Sequence, residues 1–557
     1  MKTYLYLALA AYPLFLLSIA GCTDSAAGEQ NVAHEAAPTT EIEKWYDLSF
    51  TMAERDSMQG TLENRLEAYQ QIHAYSPAGD VPMSLYFNPL PIGFEMPKEQ
   101  KRHNWNLPKT VNLPENPADL AFYPVADLAV LLRTGKITSV ELTRFYINRL
   151  KKYGDSLQCV VTLTEELALK QAAKADKEIR TGTYRGPLHG IPYGVKDLFA
   201  VEGYKTTWGA GAYKDQVIDQ TATVVNKLEE AGAVLVAKLT LGALAMGDVW
   251  FGGVTKNPWN TVQGSSGSSA GSASAAVAGL VGFAIGTETR GSIVSPSTRC
   301  GASGLRPTYG RVSRTGAMAL SWSMDKVGPI CRTAQGAALV FQSIIGPDGK
   351  DQTLLDAPFN FDAGRDMRKL KVGYIKSYFD SSKNANDALA LEAIRNMGVE
   401  PVAMELPTNV PVRALSFILA AEAAAAFDVL TRSNRDSLLV RQDKWAWPNY
   451  FRAARFIPAV EYINANRLRF QLVQEIHAIM KDYDVVITPS FGGDQLLITN
   501  LTSNPCVVVP SGFNEEGSPT SISFLGNLYD EGTLLEFAHA YQQATGHEDV
   551  HPEWLRE

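Results

Sequence analysis

This chain is poor in the residues that build metal and redox centres, with only 5 cysteines and 8 histidines in 557 residues. No C-x-x-C pair occurs, and no metal site is expected. Basic residues are not in excess: 51 Lys and Arg face 59 Asp and Glu, a net charge of −8. That balance argues against nucleic acid as a partner and against electrostatic docking on an anionic membrane. Long hydrophobic runs are missing beyond the N-terminus. A composition of 45% hydrophobic and 20% charged residues is that of a globular protein, and the length leaves room for a large core.

The N-terminus is more specific. Lys2 precedes an apolar run from Tyr4 to Ile19, too short for a membrane span but suited to a secretory signal. The run ends Leu17-Ser18-Ile19-Ala20-Gly21-Cys22, which resembles the bacterial lipoprotein processing site. That resemblance implies a signal peptide over 1–21, lipidation of Cys22 and a polar tether over 22–41. It also implies an exported, cell-envelope protein facing the periplasm or the cell surface, held to the membrane through its lipid anchor only. Cys159, Cys300, Cys331 and Cys506 are far apart and have apolar or tightly turned neighbours. Export would permit disulfides, but buried free thiols are expected.

Residues 42–118 read as an N-terminal extension: a helix over Met52–His73, then a Pro-rich, aromatic-bearing segment from Pro77 to Pro117. From Tyr123 the order becomes regular. Thr138-Ser139-Val140-Glu141 matches a capping box, after which Leu142, Phe145, Tyr146 and Leu150 share one helical face. Thr221–Ala231 reads as a helix stopped by Gly232, and Ala233–Ala237 as a buried strand. Lys371–Ile375 and Val485–Thr488 read as further strands, whereas 411–480 is mainly helical, with Trp445, Trp447, Tyr450 and Phe451 assigned mostly to the core. Alternating helices and short buried strands predict an α/β protein with a largely covered sheet.

The chemistry is expected between Asn257 and Gly310, a stretch dominated by Ser, Gly, Ala and Thr. Apolar runs at Ala275–Ala278 and Leu280–Ile285 distinguish it from a linker and predict tight turns between buried elements. It contains no histidine, so a serine nucleophile there must take its base from elsewhere. Three readings compete. Gly267-Ser268-Ser269-Ala270-Gly271 spells the G-x-S-x-G elbow with Ser269 as nucleophile, but Asn257–Gln263 before it is too polar for a central strand. Ser323-Met324-Asp325-Lys326 spells S-x-x-K, but Gly328-Pro329 ends any helix there. The third reading uses Lys196 in the segment Leu188 to Asp197, where it follows a short apolar run flanked by glycines. Burial there favours the neutral amine, which acts as a base without histidine.

At these residues the chain resembles the amidase signature family. The Lys-bearing segment is 186–198, the paired-serine segment Ser266–Gly271, and the nucleophile segment Gly286-Thr287-Glu288-Thr289-Arg290-Gly291-Ser292-Ile293. Gly304 to Ser313 continues the pattern, with weaker similarity from Tyr123 to Ala544. The resemblance implies a single large amidase domain over 119–550, with a mostly buried mixed β-sheet covered by helices on both faces. It implies Ser292 as nucleophile, Lys196 as base and Ser268 as the bridging serine, at a cis peptide bond. Backbone N–H groups of Thr289, Arg290, Gly291 and Ser292 would hold the oxyanion, with Asp197, Ser269 and Glu288 in support. A second serine pair, Ser265-Ser266, lies three residues upstream, and the register at Ser268 is preferred because Ser272–Gly279 then supplies the following helix.

Ser266 and Ala270 stand where the family usually has glycine, Glu288 where it has Asp, Arg290 where Gly is commonest and Val294 where it has Arg. The Glu and Val forms are similar to the branch containing bacterial peptide amidases. The implied reaction is hydrolysis of a small-molecule or peptide amide, releasing ammonia or an amine, with no metal or organic cofactor. Two other readings stand beside it: the glutaminase-type subunit of a tRNA amidotransferase, and a non-catalytic surface binding protein.

Overall fold

Short, nearly continuous apolar runs assemble into one mixed sheet of 11 strands. The computed structural model describes residues 40–75, 81, 85–406 and 409–556. The expected signal peptide, Cys22 and all but the last two residues of the expected tether lie outside the described residues. Among the described residues, no helix is long and apolar enough to cross a membrane.

The chain divides into two compact units, Met1–Tyr75 and Ser76–Glu557. The first contains helices Thr40–Trp45 and Met52–Tyr75, the latter covering the helix expected from Met52. The second contains the sheet. Its Pro-rich leading segment is tied down beside it: Asn104 donates its backbone N–H to the Phe361 carbonyl at 2.9 Å, and Gln100 reaches the Phe359 carbonyl at 2.7 Å.

The sheet strands in chain order are β1 (Val160–Leu163), β2 (Pro192–Lys196), β3 (Val234–Leu239), β4 (Phe283–Glu288), β5 (Ser303–Arg306) and β6 (Lys326–Cys331). They continue with β7 (Val372–Ile375), β8 (Val402–Met404), β9 (Val485–Pro489), β10 (Cys506–Phe513) and β11 (Pro519–Leu525). Their spatial order is β1-β3-β2-β4-β6-β5-β10-β11-β9-β7-β8. β2 runs parallel to both β3 and β4, and β6 lies antiparallel to β4 with Lys326 opposite Glu288. All residues of β2, β3, β6, β9 and β11 are buried, as strands covered on both faces require.

Alternation along the strands distributes side chains between two apolar clusters. Val195, Leu235 and Ile285 join one; Val234, Val236 and Ala284 join the other. The capping box forms as expected: Glu141 N–H donates to Thr138 Oγ1 at 3.1 Å, and Thr138 N–H to Glu141 Oε2 at 2.9 Å. The helix it starts, Ser139–Leu157, buries Leu142, Tyr146 and Leu150. The helix expected over Thr221–Ala231 spans Thr223–Glu230. Trp447 and Phe451 are buried, but Trp445 is 62% exposed and does not join the core. Its backbone N–H is fixed by Asp443 Oδ1 at a turn, which leaves the ring outside.

Candidate active site

Lys196 occupies the last position of β2, and its neighbour β4 ends at Glu288, so the two strands deliver a lysine and a loop to the same edge of the sheet core. Lys196 is fully buried, and its Nζ contacts three hydroxyls: Ser268 Oγ at 2.8 Å, Thr287 Oγ1 at 2.8 Å and Ser269 Oγ at 3.1 Å. Burial lowers its pKa to about 7, against the raising fields of Asp325 and Glu288. A neutral amine has two protons and one lone pair. Ser269 already spends its only proton on the Thr287 carbonyl at 3.0 Å, so it accepts from the amine. The lone pair is then left to a donating hydroxyl of Ser268 or Thr287.

Of the two serine pairs, Lys196 reaches Ser268 and Ser269, whereas Ser265 Oγ donates to the Ser266 carbonyl instead. The peptide bond Gly267–Ser268 is cis. Gly267 fits because a Cβ there would sit 1.9 Å from the Gly247 carbonyl oxygen. Ser266, where the family usually carries glycine, has φ 58°, a left-handed conformation costly for a side-chain-bearing residue. Asp248 accepts its N–H at 2.9 Å, and its hydroxyl pairs with Ser295 at 2.8 Å.

The segment preceding the elbow motif is a hairpin, Lys256–Asn257 with Asn260–Gly264, outside the main sheet. The S-x-x-K pair is also apart: Lys326 opens β6 and donates to the Met324 carbonyl, while Ser323 Oγ donates to Glu422 at 2.7 Å. The C-terminal His547-Glu548-Asp549-Val550-His551 does spell H-E-x-x-H, despite the expectation of no metal motif. That motif presents two histidines only from one helical face. Here a single 3-10 turn, His547–Asp549, gives way to extended Val550, and the His551 ring stacks on Phe122. Among the described residues, no cluster of His, Cys, Asp or Glu is arranged to hold a metal.

Ser292 is half-buried, and its carbonyl accepts the Ser269 N–H at 3.1 Å, which binds the serine segment to the loop after β4. Among the described residues its hydroxyl has no hydrogen-bond partner. Nor do the backbone N–H groups of Thr289, Arg290, Gly291 and Ser292 donate to any described group. The next two N–H groups, of Ile293 and Val294, are taken by Glu288 Oε2 at 2.8 and 3.0 Å. Glu288 thus folds the loop back and leaves four donors free at its crest. Burial alone would raise its pKa, but Arg306 at 2.9 Å, the two N–H groups and Asn500 at 2.8 Å bring it down to about 2.

Asp197 does not reach the Lys196 amine. Its carboxylate pairs with buried Lys238 at 2.8 Å and accepts the Thr207 N–H at 2.9 Å, which anchors the end of β2 rather than the proton network. Residues that sequence reading missed are Thr287, Lys238, Arg306, Asn500 and Asp325. Asp325 accepts from Thr289 Oγ1 at 2.6 Å and from the N–H groups of Leu320 and Ser321 at 2.8 and 2.9 Å. A cavity of about 160 Å³ reaches this corner, lined by Thr287, Thr289, Asp325, Met318, Leu320 and Trp322. Cys159, Cys300, Cys331 and Cys506 are buried free thiols.

Residues 141–499 match the model of the Amidase family. The chain belongs to the amidase family. It is 32% identical over 471 residues to a glutamyl-tRNA(Gln) amidotransferase subunit of Methylococcus capsulatus, covering 76% of this chain and 96% of that one. The peptide amidase of Stenotrophomonas maltophilia superposes with a TM-score of 0.68 at 29% identity, covering 77% of this chain and 98% of its own. An amidase family protein from Bacillus anthracis superposes with a TM-score of 0.68 at 26% identity, covering 79% and 95%. The large mixed sheet flanked by helices is therefore the amidase signature fold.

Proposed function

We propose that this amidase-family protein hydrolyses a linear carboxylic amide through Ser292, Ser268 and Lys196. The observation that carries the reading is a buried amine with its pKa lowered to about 7, in contact with Ser268, in a serine segment whose next residue, Ser269, donates its N–H to the carbonyl of half-buried Ser292. Neutral Lys196 takes the Ser268 proton as Ser268 takes that of Ser292, and Ser292 Oγ bonds to the amide carbon. The carbonyl oxygen gains the electron pair and is met by the free N–H groups of 289–292; each such donor is worth about 100- to 1,000-fold in rate. Collapse breaks the C–N bond, with the relayed proton leaving on the amine or ammonia. Water, deprotonated by the same relay, then cleaves the ester and releases the acid. The test is release of ammonia or amine from C-terminal peptide amides, aryl amides and fatty amides, with Lys196→Ala as control. No release from any of them contradicts the reading.

A second reading is favoured by the likeness to the Methylococcus capsulatus protein: a glutamine-hydrolysing subunit of an amidotransferase. Glutamine hydrolysis that requires a partner protein, with no activity on other amides, would select it. We further propose that the protein is exported and held in the cell envelope through lipid on Cys22, a reading supported by residues 2–22 alone. Membrane release or failed maturation of Cys22→Ala is the expected result; unchanged fractionation without lipid by mass spectrometry contradicts it.

A further inference from the structure

We infer that the groove beside the nucleophile loop binds a carboxylate carried by the amide substrate, with Arg290 as its partner. The inference rests on the hydrolytic reading above and adds the substrate class. A groove of about 510 Å³ is lined by Arg290, Arg413, Ser416, Phe491, Asp494 and Leu496, among others. Its charged side chains are two arginines and one aspartate. Arg413 is already committed, its Nε lying 2.9 Å from both oxygens of Asp494. Arg290 is exposed and, among the described residues, has neither an ion pair nor a side-chain hydrogen bond. It is the uncompensated cation of the groove, in a chain whose net charge is −8.

Position ties this cation to the chemistry. Arg290 lies two residues before Ser292, so their Cα atoms are at most about 7 Å apart. Gly291, between them, has φ 96°, and a Cβ there would meet Leu496 Cδ1 at 3.6 Å, a side chain of the same groove. The groove therefore abuts the loop that presents the free N–H donors. Leu496, Leu497 and Phe491, the last 56% exposed, offer apolar surface for a short carbon chain. A guanidinium binds the two oxygens of a carboxylate through parallel N–H donors, which fixes direction as well as charge. A small amide spans both sites when its carboxylate lies a few bonds from the scissile carbonyl.

The test compares dicarboxylic acid monoamides (succinamate, glutaramate, adipamate) with neutral monoamides of equal chain length. The wild type is expected to favour the acid series by about tenfold in kcat/KM at one chain length or more, the ratio of one charge-assisted contact. Arg290→Ala is expected to erase that ratio, Arg290→Lys to keep part of it, and Arg290→Glu to shift preference to ω-amino amides. An acid-to-neutral ratio equal in wild type and Arg290→Ala overturns the inference. Calorimetric titration with glutarate is a readout independent of turnover, expected to weaken about tenfold in Arg290→Ala. Equal affinity in the two proteins overturns it as well. Absence of turnover with every amide, alongside Arg290-dependent glutarate binding, would instead count against the hydrolytic reading alone.

Discussion

Glu288 and Arg306 form a fully buried ion pair at 2.9 Å, and the second oxygen of the same carboxylate holds the backbone of Ile293 and Val294. The pair joins the end of β4 to β5 and sets the shape of the loop between them. Removing one partner of such a pair leaves the other charge buried and unpaired. Glu288→Ala is therefore expected to destabilise the protein by about 3–5 kcal/mol in chemical denaturation, with loss of amide hydrolysis. The sign with pH follows from a folded pKa near 2, below the ordinary 4.5. The stabilisation is complete above about pH 4.5 and is lost as pH falls through about 2. A variant as stable as wild type at pH 7 would contradict this.

Lys196 predicts the acid limb of the pH profile. With its pKa lowered to about 7 by burial, the base is neutral above that pH and protonated below it. The kcat/KM for a neutral amide is expected to rise with pH and level off above an apparent pKa near 7. Lys196→Ala and Lys196→Arg should both abolish turnover, since a guanidinium stays protonated. A flat profile between pH 5 and 9, or near wild-type rates in either variant, would place the base elsewhere.

Asp325 predicts a second effect on the same limb. It anchors Thr289 Oγ1, and its charge raises the Lys196 pKa against the lowering by burial. Asp325→Asn removes the charge and puts an NH2 donor where one of its two accepting oxygens stood. The acid limb should move to lower pH, and kcat should fall about 10- to 100-fold as the loop shifts. A purely structural role would lower the rate and leave the limb in place.

The sheet is legible in the sequence because its strands are short apolar runs bounded by turns. Ala233–Ala237 and Val485–Thr488 both read as strands and both form, each ending one or two residues later. Lys196, Ser268 and Ser292 are singled out in the sequence by the resemblance to the amidase signature family. The partners that fix their surroundings are not. Thr287 looks like any strand residue, and Asn500 lies 212 residues from the Glu288 it holds. Arg306 and Lys238 are buried cations whose carboxylates, Glu288 and Asp197, are distant in sequence, and no local pattern marks such pairs. The resemblance implies that Asp197 helps to orient the proton network. Asp197 lies in the turn just past the end of β2, and its carboxylate meets Lys238 instead. Trp445 reads as core beside Trp447, but a turn at Asp443 leaves it outside.

The roles of the serines can be separated by variants. Ser268→Ala keeps the attacking hydroxyl but removes its proton path, so slow acylation should persist while turnover falls by at least about 100-fold. Ser292→Ala should lose both. Equal turnover in Ser268→Ala and wild type would contradict the relay.

The most direct measurement is the position of a covalent adduct. The protein is treated with a fluorophosphonate, digested, and the modified peptide mapped by mass. The label is expected on Ser292, absent from Ser292→Ala and retained, more slowly formed, in Ser268→Ala. A label on Ser269, with Ser292→Ala still active on amides, would contradict it and make the G-x-S-x-G serine the nucleophile.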